Sequence, residues 1–268
     1  MSQSGDSSRD TFREVSCFLL DMDGTLYLGD RLFQGVPEFL QRLRESGRKF
    51  LFFTNNSSRD AAEYADKLHR LGIEAAPEEV ITSGEATVAY LKGEAAARRA
   101  YVLGTPSFER EVAAAGIELD SARPDAVVLG FDLTLTYEKI NTACRLIRAG
   151  VPFVASHPDL NCPTAEGPIP DCGAMTAMIT AATGVAPLVI GKPNRYMVDA
   201  ALARTGKEPD QTAIVGDRLY TDMEMGFRSG LHTVLVLSGE TTEADVARAE
   251  RRPELILPSV AALTPLLD

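Results

Sequence analysis

The chain has 268 residues, with 27 Lys and Arg against 38 Asp and Glu, which gives a formal net charge of −11. This length allows one large domain or two modest ones, and 45% hydrophobic with 24% charged residues argue against a disordered or fibrous chain. The acidic balance and the lack of a long basic run argue against a nucleic-acid partner.

The chain opens on a polar, Ser-rich segment, and residues 1–12 are predicted to form a disordered tail. Beyond it, short apolar runs alternate with amphipathic segments, which predicts an α/β fold with a mostly parallel sheet. The first predicted elements are a strand over 17–20, a helix over 37–46, a strand over 50–53 and a helix that Ser57 or Ser58 caps and that stops near Gly72.

A second unit is predicted to begin near Ser83. Its elements alternate as strand 101–103, helix 108–115, strand 126–129, helix 137–149, strand 152–155 and helix 174–183. The apolar run 188–190 resumes the first pattern, and strands are predicted to follow at 213–215, 233–237 and 255–257. The connection 157–173 is longer than the roughly 12–15 residues beyond which a structureless loop usually has a function.

Carboxylates follow two of the predicted strands. Asp21 and Asp23 come directly after the strand 17–20 in a turn that contains Gly24, and Asp217 and Asp222 follow the strand 213–215. Each segment alone is equally typical of an ordinary turn or a helix cap. Together they present oxygen ligands suited to Mg²⁺ at the sheet edge where α/β proteins bind ligands.

Two further segments supply groups that suit an anion. Thr54, Asn55 and Asn56 follow the strand 50–53 at a helix N-terminus, which favours an anionic ligand. Lys192 follows the run 188–190, where its charge could oppose a phosphate, although an exposed Lys before a Pro-initiated helix is the commoner case. The spacing around Lys192 does not match a P-loop, and no nucleophile elbow or dinucleotide fingerprint is present.

Cysteine and histidine patterns do not predict a zinc site. The four cysteines form no CxxC pair and the three histidines lie far apart, so we expect reduced thiols in a cytoplasmic protein. No segment approaches the roughly 18–20 apolar residues of a membrane-spanning helix, and no secretory leader is seen, so no membrane partner is expected.

Taken in order, these four segments resemble the motifs of the haloacid dehalogenase (HAD) superfamily of aspartate-nucleophile phosphohydrolases. The unit inserted between the second and third motifs is similar to that of the 4-nitrophenylphosphatase or NagD-like subgroup. The resemblance implies a Rossmann-like HAD core with a mostly parallel sheet plus an inserted α/β cap domain. Its expected boundaries are 1–82 and 185–268 for the core and 83–184 for the cap.

The resemblance also implies a role for each motif. Asp21 would attack phosphorus, and Asp23 would protonate the leaving group and then activate water. Mg²⁺ would be bound by Asp21, Asp217 and the backbone carbonyl of Asp23, with Asp222 orienting a metal-bound water or Lys192. The phosphoryl oxygens would be held by a group of polar side chains, namely Thr54, Asn55, Lys192 and, facing the substrate, Asn56.

The implied substrate is a small phosphate ester, such as a sugar phosphate, a nucleoside monophosphate, pyridoxal phosphate or phosphoglycolate. The connection 157–173 is the candidate specificity loop, with His157 as a substrate contact where several relatives have Asn. A homodimer through the cap is expected. The alternatives are a phospho-acceptor or phosphate-binding module without turnover, and a dehalogenase, which Asp23 disfavours.

Overall fold

A computed structural model describes residues 12–164 and 166–267 and divides them into two compact units. The first comprises the chain up to Phe53, Ala65–Val80 and the chain from Val198 onward, and the second comprises Thr54–Tyr64 and Ile81–Met197. The predicted cap, 83–184, lies within the second unit, and its exact limits stay a prediction.

The strands are numbered in chain order. They are β1 (Cys17–Leu20), β2 (Tyr27–Leu28), β3 (Arg31–Leu32), β4 (Lys49–Thr54), β5 (Val80–Thr82), β6 (Arg99–Leu103), β7 (Glu118–Leu119), β8 (Ala126–Leu129), β9 (Phe153–Ala155), β10 (Asn161–Cys162), β11 (Ile169–Pro170), β12 (Leu188–Val189), β13 (Thr212–Gly216), β14 (His232–Val236) and β15 (Leu255–Leu257).

The α-helices described here are likewise numbered in chain order. They are α1 (Val36–Glu45), α2 (Ala61–Arg70), α3 (Ser83–Lys92), α4 (Pro106–Ala114), α5 (Tyr137–Arg148), α6 (Cys172–Thr183), α7 (Arg195–Thr205), α8 (Glu224–Ser229) and α9 (Glu243–Arg248). The residues that connect these elements include a π-helical turn, Leu219–Met223, directly after β13.

The first unit is built on a six-stranded sheet in the order β15-β14-β13-β1-β4-β5. The pairs β1–β13, β1–β4, β13–β14 and β14–β15 are parallel. All four residues of β1 are buried, as expected for a central parallel strand covered on both faces. Leu20 is in register with Val215 of β13 and Phe52 of β4, so the carboxyl ends of these three strands meet at one edge.

The second unit has a five-stranded sheet in the order β12-β9-β8-β6-β7, and its pairs are parallel. Successive side chains of β8 enter two different apolar clusters. Val127 and Leu129 pack with Ile147 of α5, whereas Val128 packs with Phe108 and Val112 of α4. This alternation along a strand lets helices cover both faces of the sheet, and the predicted α/β class is confirmed.

Several predicted strands have the predicted bounds, including 17–20, 126–129 and 255–257. The run 188–190 was expected in the first pattern, but its residues 188 and 189 form β12, which pairs with β9 in the second sheet. The expected caps of the second helix, Ser57 and Ser58, are wrong. Asp60 Oδ1 accepts from the Glu63 N–H at 2.9 Å, because α2 begins at Ala61.

The tail prediction over residues 1–11 lies outside the described residues. Phe12, which was assigned to that tail, is fully buried, and its ring lies edge-on to His232 with a centroid distance of 5.9 Å. The connection 157–173 contains a short antiparallel ladder, β10 with β11, rather than being structureless. None of the helices in the described part of the chain combines the length and apolar character needed to cross a bilayer.

Candidate active site

Three buried carboxylates meet at the carboxyl edge of the first unit's sheet. β1 ends immediately before Asp21, β13 ends immediately before Asp217, and the π-helical turn returns the chain so that Asp222 joins them. Their exposed fractions are 8%, 2% and 1%. One oxygen of each carboxylate lies within 4.8 Å of the others. The structure thus brings together three of the four acids that the sequence singled out.

Hydrogen bonds and close backbone approach fix these carboxylates. The Thr25 hydroxyl donates to Asp21 Oδ2 at 3.0 Å, and the Glu240 N–H donates to Asp217 Oδ2 at 2.6 Å. Gly24 has φ +91°, and a Cβ there would lie 2.8 Å from Asp217 Cγ. The glycine of the first motif is therefore required both for its left-handed backbone and for the space that Asp217 occupies.

The cluster fits a divalent cation. Asp217 Oδ1 is buried and has no hydrogen-bond partner among the described residues. Burial, and then the charges of Asp21 and Asp222, raise the pKa of Asp217 well above its ordinary value. Three buried carboxylates repel one another and lack solvation unless a cation compensates them. Hard oxygen donors without thiol or imidazole partners suit Mg²⁺ or Ca²⁺.

Asp23 stands in a different environment. It is partly buried, accepts from the Tyr27 hydroxyl at 3.2 Å and pairs through Oδ1 with Lys67 Nζ at 3.6 Å. Burial raises the pKa of Asp23, the charge of Lys67 opposes that rise, and the charge of Asp21 adds to it. A carboxyl whose pKa is raised retains its proton closer to neutral pH, which suits a general acid.

Lys67 and Tyr27 are neighbours of Asp23 that the sequence analysis did not single out. The Lys67 ammonium lies 4.0 Å from the centroid of the Tyr27 ring as well as beside Asp23. Tyr27 lies only four residues after Asp23, and this short spacing could have indicated the contact. Lys67 belongs to α2, far from Asp23 in the sequence, so no spacing indicated its contact.

In the second unit, the Asn55 side-chain amide forms two hydrogen bonds with the Lys192 backbone. Asn55 Oδ1 accepts from the Lys192 N–H at 2.8 Å, and Asn55 Nδ2 donates to the Lys192 carbonyl at 3.2 Å. Both residues are almost fully buried. A Cβ at Gly191 would lie 2.6 Å from Asn55 Oδ1, so the glycine permits this close approach.

Thr54 and Asn56 form a turn at the end of β4. The Asn56 N–H donates to Thr54 Oγ1 at 3.1 Å. Asn56 Oδ1 in turn accepts from the Ser58 N–H at 2.9 Å and the Ser58 hydroxyl at 2.7 Å. The predicted contacts of Thr54 and Asn56 with a substrate stay predictions.

His157 is fully buried at the start of the connection 157–173. Its Nε2 lies 2.9 Å from Asp171 Oδ1, and its Nδ1 lies 2.9 Å from Ser156 Oγ and 3.3 Å from Ser83 Oγ. The structure therefore gives both ring nitrogens protein partners within the second unit. A direct contact between His157 and a substrate stays a prediction.

The two cysteines of this connection differ in environment. Cys172 is fully buried, and burial raises the pKa of its thiol to about 12, which keeps it protonated and unreactive. Cys162 is partly exposed, and its sulfur lies 3.9 Å from Asn56 Nδ2.

Comparison with known proteins gives matches over nearly the whole chain. A haloacid dehalogenase-like hydrolase model matches residues 18–118, and a HAD-hydrolase-like model matches residues 189–263. The dihydroxyacetone phosphatase of Corynebacterium glutamicum (strain R) is 38% identical over 251 residues, which are 94% of this chain and 91% of the relative.

Solved structures are similar over the same extent. The 4-nitrophenylphosphatase of Thermotoga maritima is 44% identical, with a TM-score of 0.93 and coverage of 96% of this chain and 99% of that one. The glycerol phosphate phosphatase of Mycobacterium tuberculosis in complex with magnesium is 36% identical, with a TM-score of 0.89 and coverage of 96% of this chain and 79% of that one.

Proposed function

Because the chain belongs to the haloacid dehalogenase-like hydrolases, we propose that it hydrolyses small phosphomonoesters with Mg²⁺ through an aspartyl-phosphate intermediate. The observation that carries this proposal is the buried cluster of Asp21, Asp217 and Asp222, in which Asp217 Oδ1 has no partner among the described residues. Burying three carboxylates together costs free energy unless a cation compensates their charge. The cluster also lies at the carboxyl end of the central strand β1, which Asp21, the proposed nucleophile, directly follows.

The proposed reaction has two displacements at phosphorus. In the first, an Asp21 carboxylate oxygen bonds to phosphorus, the ester bond breaks, and Asp23 gives its proton to the departing alkoxide. In the second, Asp23 takes a proton from a water molecule while the water oxygen attacks phosphorus. The bond between the Asp21 oxygen and phosphorus then breaks, which releases inorganic phosphate and regenerates the Asp21 carboxylate. The raised pKa of Asp23 supports its role as the proton carrier.

Charge is neutralised from several directions in this proposal. Asp21, Asp217 and the backbone carbonyl of Asp23 would hold the Mg²⁺, which when bound compensates charge on the phosphoryl group. Asp222 would orient Lys192 or a water molecule beside the cation. Lys192, Thr54 and the main chain of the Asn55–Asn56 turn would bind phosphoryl oxygens, and catalysis would consist largely of positioning and charge stabilisation.

The proposed substrates are small and polar. The relatives named above act on dihydroxyacetone phosphate, glycerol phosphate and 4-nitrophenyl phosphate according to their names. A dehalogenase is disfavoured because Asp23, with its raised pKa, supplies a proton carrier that the departing halide does not need.

The test is phosphate release from a panel of phosphomonoesters, with Mg²⁺ or with excess EDTA. Turnover is expected with Mg²⁺ and should be abolished by EDTA. Asp21→Asn should lower kcat by at least about 10³-fold, because an amide is a far poorer nucleophile than the carboxylate that it replaces, while circular dichroism stays unchanged. Near wild-type turnover in Asp21→Asn would exclude the nucleophile assignment.

The same panel separates the alternatives. A phospho-acceptor without turnover would release at most one equivalent of product per protein, whereas an enzyme continues. Halide release from 2-haloacids in the absence of phosphate release would identify a dehalogenase instead.

A further inference from the structure

The Asn55 side chain is oriented without ambiguity by its partners. Its Nδ2 faces two acceptors, the Asp159 carboxylate at 3.3 Å and the Lys192 carbonyl at 3.2 Å. Its Oδ1 faces a donor, the Lys192 N–H at 2.8 Å. A flipped amide would place like groups against each other at all of these contacts, so this orientation is the stable one.

In this geometry both N–H donors of the Asn55 side-chain amide are used in hydrogen bonds within the protein. An amide nitrogen has two N–H donors, and the two acceptors around Asn55 Nδ2 use both. The side chain therefore does not have a donor left for a phosphoryl oxygen. Instead, the Asn55 side chain holds the Lys192 main chain through hydrogen bonds to both its N–H and its carbonyl.

Asp159 is the outer member of this arrangement and is itself held firmly. It is 5% exposed, and its carbonyl accepts from the Gly173 N–H at 2.8 Å. The neighbouring Leu160 carbonyl accepts from the Asp171 N–H at 3.0 Å, and Asp171 is bonded to His157. The two ends of the connection 157–173 are thus tied together around Asp159.

We infer that Asp159 is a positioning residue, which fixes the Asn55 amide so that Asn55 sets the position of Lys192. This inference rests on the proposed function, in which Lys192 stabilises the phosphoryl group. A charged acceptor forms the stronger hydrogen bonds, and a support of this kind narrows the positions that a binding group can occupy. His157 and Asp171 serve the same support by closing the loop that carries Asp159.

The same cluster could in principle bind a second cation, because His157, Asp159 and Asp171 each offer an atom within 4.8 Å of the others. The contacts favour the hydrogen-bonded support. Asp159 is directed at an amide donor and Asp171 at the His157 ring, so each group already has a compensating partner.

The test compares Asp159→Ala, Asp159→Asn, Asn55→Ala and the double variant Asn55→Ala/Asp159→Ala with 4-nitrophenyl phosphate and Mg²⁺. Asp159→Ala should lower kcat by about 10- to 100-fold, the size expected when a catalytic group is displaced by about 1 Å. Asp159→Asn should recover most of that loss, because its amide oxygen still accepts from Asn55. The double variant should be no slower than Asn55→Ala, because Asp159 acts through Asn55.

Thermal unfolding of each variant and the exposed control Asp210→Ala accompany the kinetics. The inference would be overturned if the rate loss of the double variant equalled the product of the two single losses, or if the Asp159→Ala enzyme were as fast as the control. Neither outcome would contradict the proposed phosphatase function. Binding of Mn²⁺ or Zn²⁺ at a second site that Asp159→Ala abolishes would overturn it in favour of a metal site. Absence of phosphate release from the wild type would instead refute the proposed function, and the inference with it.

Discussion

Asp217 combines a stability problem with a proposed function in one side chain. Its Oδ2 accepts from the Glu240 N–H, while Oδ1 is buried without a partner among the described residues. Burial and two neighbouring carboxylates raise its pKa. A cation bound to Oδ1 would supply the missing partner, offset the lost solvation and compensate the repulsion from the two neighbouring carboxylates. The stability of the protein should therefore depend strongly on Asp217 when the metal is removed.

We therefore expect Asp217→Asn to stabilise the metal-free protein and to lose the response to Mg²⁺. In EDTA, removing one of three repelling charges should raise the free energy of unfolding by roughly 1–3 kcal/mol. The wild type should gain about 2.7 kcal/mol at a Mg²⁺ concentration one hundred times its Kd, and the variant almost nothing. Denaturant unfolding in EDTA and in Mg²⁺ measures both effects.

The exposed Asp210→Asn provides the matched control for this prediction, because it removes a charge away from the cluster. An Asp217→Asn protein that is less stable than wild type in EDTA would contradict the repulsion argument. A variant that retains the full Mg²⁺ stabilisation would remove Asp217 from the set of metal ligands.

At the residue scale, the sequence predicted the candidate site residues that stand close together in one short motif. Asp21 and Asp23 stand in one short motif, and Asp217 and Asp222 in another, so strand and turn patterns predicted them. Their convergence depends on the pairing of β1 with β13, which the motifs implied only through the family resemblance. Lys67 and Asp159 lie on other elements with no motif around them, so only the fold shows their contacts.

At the scale of elements, apolar runs predicted strands well where both faces are buried. Burial of every residue in β1 and β8 gives an unbroken apolar run with clear ends. β12 has the same apolar character, yet the pattern does not say which of two sheets it joins, and it pairs with β9. The ladder of β10 and β11 is too short to leave a periodic signal.

The contact between α3 and α4 holds a carboxyl whose ionisation the fold disfavours. A Cβ at Gly84 would lie 2.8 Å from Glu111 Oε2, which is buried and has no hydrogen-bond partner among the described residues. Burial raises the pKa of Glu111 to about 8, and the charges of Glu85, Asp60 and Glu63 add to the rise.

This pKa predicts that the second unit loses stability as the pH rises from about 4.5 to about 8. Over that range Glu111 ionises freely in the unfolded chain but holds its proton in the folded one. Ionisation therefore stabilises the unfolded state relative to the folded state, and the free energy of unfolding falls as the pH rises. Glu111→Gln should remove this dependence and stabilise the protein at pH 8 by on the order of 2 kcal/mol.

Urea unfolding at pH 5 and pH 8 checks the Glu111 prediction, with the exposed Glu118→Gln as control. The stability difference between Glu111→Gln and wild type should be larger at pH 8 than at pH 5. Equal differences at both pH values would show that Glu111 ionises normally in the folded protein.

At the scale of the whole molecule, the net charge of −11 and the proposed anionic substrate make opposite demands. In the proposed site this conflict would be resolved locally. The acids of the buried cluster would be compensated by a cation and the phosphoryl group by Lys192, while the surplus elsewhere favours solubility. The acidic composition, from which no nucleic-acid partner was expected, is therefore compatible with a small phosphate ester as the proposed substrate.

The three clustered carboxylates all belong to the first unit, so binding of Mg²⁺ alone should stabilise that unit selectively. We expect hydrogen exchange to slow for the amides of 21–24 and 217–223, whose local opening would separate the ligands. Amides of β8 and β9 in the second unit should exchange at unchanged rates. The same experiment on Asp217→Asn should show no protection.

Exchange measured by mass spectrometry, with and without Mg²⁺, distinguishes the outcomes. Protection that appears first in β8, β9 or 157–173 would place the ion in the second unit, against the proposed ligands. Protection confined to the first unit would support a cation site formed by the acids that follow β1 and β13, next to the proposed nucleophile Asp21.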